Sequence, residues 1–400
     1  MSKAYKEKAM QPKKKQFDPD ADDFWDIFGE AGLEQKIETF LAVLDSGKMD
    51  EELAFEMLEE IVNILPEGAD QHARYAELVW RLREKAPEVY KKEGKYFLRS
   101  LISFAIEDDR WDEIPSLLDF FRNETDVDIY YNIVYQMAYH GLEKLIVPVM
   151  ADALPKIKTA PDLVEWAADE FASEIGRLML WDYLNTNPTP APQDSAFLAA
   201  TAPYIPQWKE GWLERFIPRL TARAPSEWKS ADFSSSLGNE QLQTNIHNLL
   251  AEFVADQHWR GIPYGRADMA WEQIAIAIVK QAGIGQTKKG RSGKSKEQRS
   301  TKSVQTISLI PAYGTLDRSL VDLAQFLGAK PFHLAATIEL LPAYLRFLTR
   351  LGLATEEETA RALHNLRPLT NNISRTLKYY GADGRCIANV LAAWEEEKAR

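Results

Sequence analysis

Apolar side chains recur at spacings of three and four along nearly all of this chain, and few runs alternate strictly as a half-buried strand does. A sequence with that single period can bury its apolar surface only by packing helix on helix, so the expected fold class is all-α. The first strong stripe is Leu33, Ile37, Phe40, Leu41 and Leu44, and Asp45-Ser46-Gly47 then supplies a turn. A second stripe, Leu53, Met57, Leu58, Ile61 and Leu65, ends at Pro66, because a helix absorbs an internal proline only at ~3 kcal/mol. Together the two stripes predict a helical hairpin. Further helices are predicted near 71–85, 89–107, 112–122, 128–140, 143–154, 162–184, 210–222, 239–258 and 268–282.

One spacing suggests that such hairpins stack. Ile114-Pro115-Ser116-Leu117 recurs as Val147-Pro148-Val149-Met150 after 33 residues, and as Ile217-Pro218-Arg219-Leu220 after a further 70. Ala105 and Ala138, and Phe121 and Leu154, keep the same offset. A helix that opens with proline in its first turn tolerates it, since that N–H has no partner inside the helix. The period resembles that of tetratricopeptide-class solenoids, though the Trp-Leu-Gly-Tyr signature of that family is absent. The expectation is an irregular helix-pair solenoid, or stacked helical hairpins, followed by a basic linker and a small C-terminal helical module.

Charge and composition set the domain boundaries. Residues 1–16 carry six Lys and one Glu and read as a basic disordered tail. Residues 17–285 form the expected helical domain, and 17–184 within it hold 38 acidic against 16 basic side chains. Residues 286–303 lack any apolar side chain and hold seven basic residues against one Glu, which reads as a flexible linker. Residues 304–400 read as a separate module, with Gly352 closing one helix, Thr355 and Glu358 forming a capping box, and Ile387, Val390, Leu391 and Trp394 giving the last helix its buried face. No run approaches the ~18 apolar residues of a membrane span. The lysine-rich start lacks the apolar core of a secretory signal, and the single Cys386 excludes an internal disulfide framework. Those features suit the cytoplasm.

No catalytic, metal or cofactor constellation emerges from the residue pattern. Gly290-Arg291-Ser292-Gly293-Lys294-Ser295 ends like a phosphate loop, but Lys288 stands where the first glycine belongs and both flanks are polar. The six histidines form no HExxH motif, there is no G-x-S-x-G elbow, and Cys386 has no base beside it. His247, Glu252, Asp256 and His258 spread too widely around one helix to share a metal ion. The expectation is therefore a protein that is not an enzyme and carries no cofactor.

The most specific local motif is Leu323-Ala324-Gln325-Phe326-Leu327-Gly328-Ala329-Lys330-Pro331-Phe332-His333-Leu334. It resembles a helix-turn-helix, with Ala324 at the helix meeting point, Gly328 in the turn, and Leu323, Leu327 and Leu334 in the core. The Leu-Gly-x-Lys-Pro-Phe run is also similar to the small helical modules in the N-terminal region of bacterial translation initiation factor 2. That resemblance covers about 319–352 and departs at Thr337, and 331–341 offers no Arg or Lys for base edges. It implies a packing or docking unit more than a reader of DNA sequence.

Two functions follow as expectations. The first is an adaptor or regulator whose acidic stack binds a protein with a basic surface. Its proposed contacts are Asp108, Asp109, Asp112 and Glu113 with Trp111 as anchor, together with Phe24, Trp25 and Phe28, which alternatively fold back as a terminal cap. The second is nucleic-acid association through Lys288, Lys289, Arg291, Lys294, Lys296, Arg299 and Lys302, helped by Arg346, Arg350, Arg367, Arg375 and Lys378. Lys288, Lys289 and Arg291 are also the expected points of protease cleavage within the linker.

Overall fold

The structure is a computed structural model that describes residues 19, 23–161, 163–187, 189–206, 211–284, 306–324 and 330–399. Among the described residues the chain is all-α: they form no strand, and their β-type pairing is an isolated antiparallel bridge between Ser234 and Thr306. The basic tail and the linker of the sequence reading lie outside the described residues. Contacts divide the chain into two compact units, 1–108 and 109–400.

Unit 1 contains α1 (Phe24–Glu30), α2 (Leu33–Ser46), α3 (Glu51–Ile64), α4 (Ala69–Lys85) and α5 (Pro87–Glu107). The hairpin predicted at 33–65 is α2 and α3. Gly47 ends α2 at φ +74°, a left-handed conformation that strains any residue with a Cβ, and Asp50 caps α3 by accepting from the Leu53 N–H at 2.9 Å. Phe40, Met57, Leu58 and Ile61 are buried as the stripes require. Helices α4 and α5 form a second pair, and α2 packs on α4 while α3 packs on α5. Short α1 is held by Lys36, whose Nζ donates to the backbone oxygens of Phe28 at 2.6 Å and Gly29 at 3.2 Å. Both lie in the last turn of α1, and the Phe28 oxygen also accepts from the Ala31 N–H at 3.2 Å.

Unit 2 contains α6 (Ile114–Leu118), α7 (Val127–Tyr139), α8 (Glu143–Ile157), α9 (Glu165–Thr186), α10 (Ser195–Thr201), α11 (Trp212–Leu220) and α12 (Asn239–His258). It continues with α13 (Tyr264–Gln281), α14 (Tyr313–Leu323), α15 (Pro331–Arg350), α16 (Glu356–Leu366), α17 (Ile373–Tyr379) and α18 (Gly384–Ala399). Helix α15 is the core: nearly every residue from Pro331 to Leu348 is buried, against α13, α18, α16 and α7. The expected boundary at 286–303 therefore does not separate two cores. A polar linker marks where the chain can leave the surface; it says nothing about whether the helices on either side bury their apolar faces together.

Two further expectations change. Pro115 does lie in the first turn of α6, but Pro148 sits inside α8 and Pro218 inside α11, so the three Ile/Val-Pro steps do not occupy equivalent positions. In α18, Val390 and Trp394 are buried with Cys386, whereas Leu391 is exposed.

Helix α13 approaches α7 closely at Gly265. A Cβ there would lie 2.6 Å from the Ala138 backbone oxygen and 2.8 Å from Glu143 Oε1. Gly265→Ala is expected to lower stability by about 2–3 kcal/mol, since backbone is the obstacle and α7 must shift to admit the methyl. A urea midpoint unchanged from the parent protein would show that the helices part at little cost.

Candidate functional site

The structure disperses the residues that sequence brought together between 108 and 113. Asp108 belongs to unit 1, where both carboxylate oxygens lie 3.0 Å from His72 Nδ1 and the His72 ring stacks on Phe104 at 4.0 Å. Its charge is turned inward. In unit 2, Asp109 accepts from Trp111 Nε1 at 3.2 Å and from Arg385 Nη2 at 2.5 Å, and the Arg385 guanidinium lies 5.0 Å above the Trp111 ring. Glu113 pairs with Arg110 at 2.6 Å, and Asp112 is exposed. Asp108, Asp109, Trp111 and Glu113 thus already hold intramolecular partners. The reason sequence missed this is distance along the chain: Asp108 and Asp109 find theirs 36 and 276 residues away.

Phe24 and Phe28 are buried in unit 1 and cannot anchor a partner while α1 is folded; Trp25 is 39% exposed. The three rings pack on one another within α1, Trp25 edge-on to Phe24 at 5.2 Å and to Phe28 at 5.9 Å. Around them lies the strongest charge imbalance of the unit. From Asp23 to Ile64 there are twelve carboxylates and two lysines, Lys36 and Lys48, and Lys36 is buried. Glu34, Asp45, Glu51 and Glu60 pair with Arg74, Lys85, Lys92 and Lys36. Asp26, Glu30, Glu38, Glu52 and Glu59 are exposed with no basic side chain bound among the described residues. Trp80, Tyr96 and Ile64 add exposed apolar surface in the same unit.

The seven basic positions from Lys288 to Lys302 and the glycine-rich hexapeptide lie outside the described residues, as do Gln325 to Ala329 of the helix-turn-helix motif. The flanking α14 and α15 are present. However, α15 is buried in the core of unit 2 and offers no free face to a nucleic-acid groove. Arg346 is paired with Glu397, Arg350 with Asp256 at 2.7 Å, and Arg367 donates to the Trp394 backbone oxygen at 3.5 Å. Arg375 and Lys378 are exposed. Glu252, weighed above as a metal ligand, instead accepts from Arg219, Ser226 and Trp228 Nε1 and fixes the chain between α11 and α12.

Sequence gave no sign of a second concentration of charge, built in unit 2 from four helices. Helix α7 supplies Tyr131 and Tyr135, α9 supplies Glu174 and Arg177, α13 supplies Asp268 and Glu272, and the start of α15 supplies His333 just after Lys330. Arg177 donates to Glu174 at 3.1 Å, His333 Nε2 lies 3.6 Å from Glu272, and the His333 ring stands edge-on to Tyr135 at 4.3 Å. The side chains of Arg177 and Glu272 remain 30% and 37% exposed while His333 is buried, so the cluster opens to the surface.

Its two α13 carboxyls, one helical turn apart, are driven in opposite directions. Burial pushes Asp268 up to about 7, against the pull of the Arg177 charge. Burial also acts on Glu272, but there His333, Arg177 and Lys330 outweigh it and hold the carboxyl down at about 2. Burial lowers His333, with Arg177 and Lys330 adding to it and Glu272 opposing it. Such splitting of neighbouring carboxyls is typical of ligand and catalytic sites. Among the described residues no three His, Cys, Asp or Glu side chains are placed to hold a metal ion, and no helix is long and apolar enough to cross a membrane. No family model, curated protein or solved structure matches the chain.

Proposed function

We propose that this chain is a non-enzymatic adaptor that binds a protein with a basic surface, and that unit 1 provides the contact. The observation that carries the reading is the region from Asp23 to Ile64, with its twelve carboxylates, two lysines and exposed Trp25. Opposite charge raises the rate at which partners meet, and an exposed tryptophan supplies the apolar contact that slows their separation. The pairing of α2 with α3 and of α4 with α5 supports the stacked-hairpin arrangement that helix-pair scaffolds use to present such a surface. Compared with the sequence reading, the contact moves from Asp108–Glu113 to α1–α3, where Asp26, Glu30, Glu38, Glu52 and Glu59 are exposed.

Glu52, Glu56 and Glu59 follow one face of α3 by their spacing. With all three changed to lysine, capture of lysine- and arginine-rich proteins from lysate at low salt should fall, and association of a fluorescent lysine-rich peptide should slow by about 10–100-fold. The salt dependence of that rate should flatten in parallel. Unchanged rates and salt slope in the triple variant would remove α3 from the interface and, with it, this reading.

A further inference from the structure

The polar cluster on α7, α9, α13 and α15 carries an inference that does not rest on the acidic surface of unit 1. Among the described residues, six buried side-chain polar atoms have no hydrogen-bond partner, and three of them belong to this cluster: Tyr131 Oη, Arg177 Nε and His333 Nδ1. Folded proteins leave few such atoms, and each calls for a physical reason. Their concentration at a place that opens to solvent points to a ligand.

We propose that this cluster binds a small zwitterion bearing an ammonium and a carboxylate, the chemistry of a free α-amino acid. Arg177 uses one Nη on Glu174 and leaves its Nε–H unmatched. Tyr131, whose hydroxyl is also unmatched, stands on α7, which packs against α9, the helix that carries Arg177. Unmatched N–H and O–H donors are the groups that take a carboxylate. Lys330, 5.7 Å from the Tyr135 ring, adds positive charge beside them.

The acceptor half comes from α13 and α15. No described side chain hydrogen-bonds Asp268, and Glu272 follows one turn later. With His333 Nε2 facing Glu272 at 3.6 Å, Nδ1 is left as an acceptor, and the buried imidazole stands perpendicular to the ring of Tyr135, a ring that also favours a cation. A simple anion would meet Glu174, Asp268 and Glu272; a simple cation would meet Arg177 and Lys330. A metal ion is not served by any group of three ligands. Only a molecule with both signs matches all the open groups.

The test is calorimetric titration of the full chain with the twenty L-amino acids, first in pools and then singly, at concentrations on the order of millimolar. At least one is expected to bind. Its N-acetyl derivative, which lacks the ammonium, and its amide, which lacks the carboxylate, should each bind at least about tenfold more weakly. Asp268→Asn and Arg177→Lys should weaken binding by a similar factor without changing the helical circular dichroism, and Tyr131→Phe should do so by a smaller one. Absence of binding by every amino acid overturns the proposal, as does equal binding of the N-acetyl derivative or full affinity in Asp268→Asn and Arg177→Lys.

Discussion

Asp383→Ala is expected to reduce the unfolding free energy by about 3–5 kcal/mol at pH 7, since each buried donor left without an acceptor costs about 1–3 kcal/mol. Asp383 is almost wholly inaccessible and ties two helices together. At the head of α18 its Oδ1 accepts from the Cys386 N–H at 2.8 Å, while Oδ2 receives Gln136 Nε2 at 3.0 Å and His140 Nε2 at 2.9 Å from the end of α7. Truncation leaves three buried donors without an acceptor. Burial pushes this carboxyl up, but the His140 charge and the bonds from His140, Cys386 and Gln136 prevail and hold it below its ordinary value. A carboxyl depressed in the folded state stabilises above its unfolded pKa and ceases to do so as pH falls through the folded value. The deficit of Asp383→Ala should therefore be full at pH 7 and shrink below about pH 4. Urea unfolding at both pH values measures it; a loss under ~1 kcal/mol at pH 7 would mean that water replaces the carboxylate.

How legible such contacts are depends on how far apart their members lie in the chain. The Thr355 capping box was readable because it closes within four residues: the Glu358 N–H donates to Thr355 Oγ1 at 3.2 Å and Glu358 Oε2 returns the contact to the Thr355 N–H at 2.8 Å. Gly352, at φ +68°, ends α15 where its sequence position suggested. Helix α12 falls at 239–258, as its apolar period required. Each of these is decided by local backbone chemistry. The cluster around Arg177 is different, since Tyr131 and His333 are 202 positions apart and nothing in either neighbourhood marks them. Charge patterning misled for the same reason: Asp108 and Asp109 read as open acids until His72 and Arg385 arrived from elsewhere. Prolines show a subtler limit. Pro115 obeys the first-turn rule, whereas Pro148 and Pro218 lie in helix interiors because packing of α8 and α11 outweighs the lost hydrogen bond.

Glu143→Gln should act in the opposite direction from Asp383→Ala and stabilise the protein at alkaline pH. Glu143 looks in sequence like an ordinary first-turn acid of α8, yet it is buried beside Gly265, with Oε1 unmatched and Oε2 accepting from Asn185 Nδ2 at 3.4 Å. Burial, aided by the negative charge of Asp182, overcomes the nearby backbone N–H groups and Asn185 and pushes the carboxyl from the usual 4.5 up to about 8. A raised carboxyl holds its proton in the folded chain and has lost it in the unfolded chain throughout that window, so folding stability falls as pH rises from 4.5 to 8 and then levels off. Each unit of separation is worth about 1.4 kcal/mol, so the full penalty is roughly 3–5 kcal/mol. Glutamine keeps the shape and never ionises. The variant should match the parent near pH 5 and exceed it by about 3–4 kcal/mol at pH 9, with a correspondingly flatter dependence of the urea midpoint on pH. If instead Glu143→Gln were the less stable protein at pH 9, the carboxylate would be ionised and held by the backbone at the start of α13, and the close approach at Gly265 would serve to bind a charge, not to exclude one.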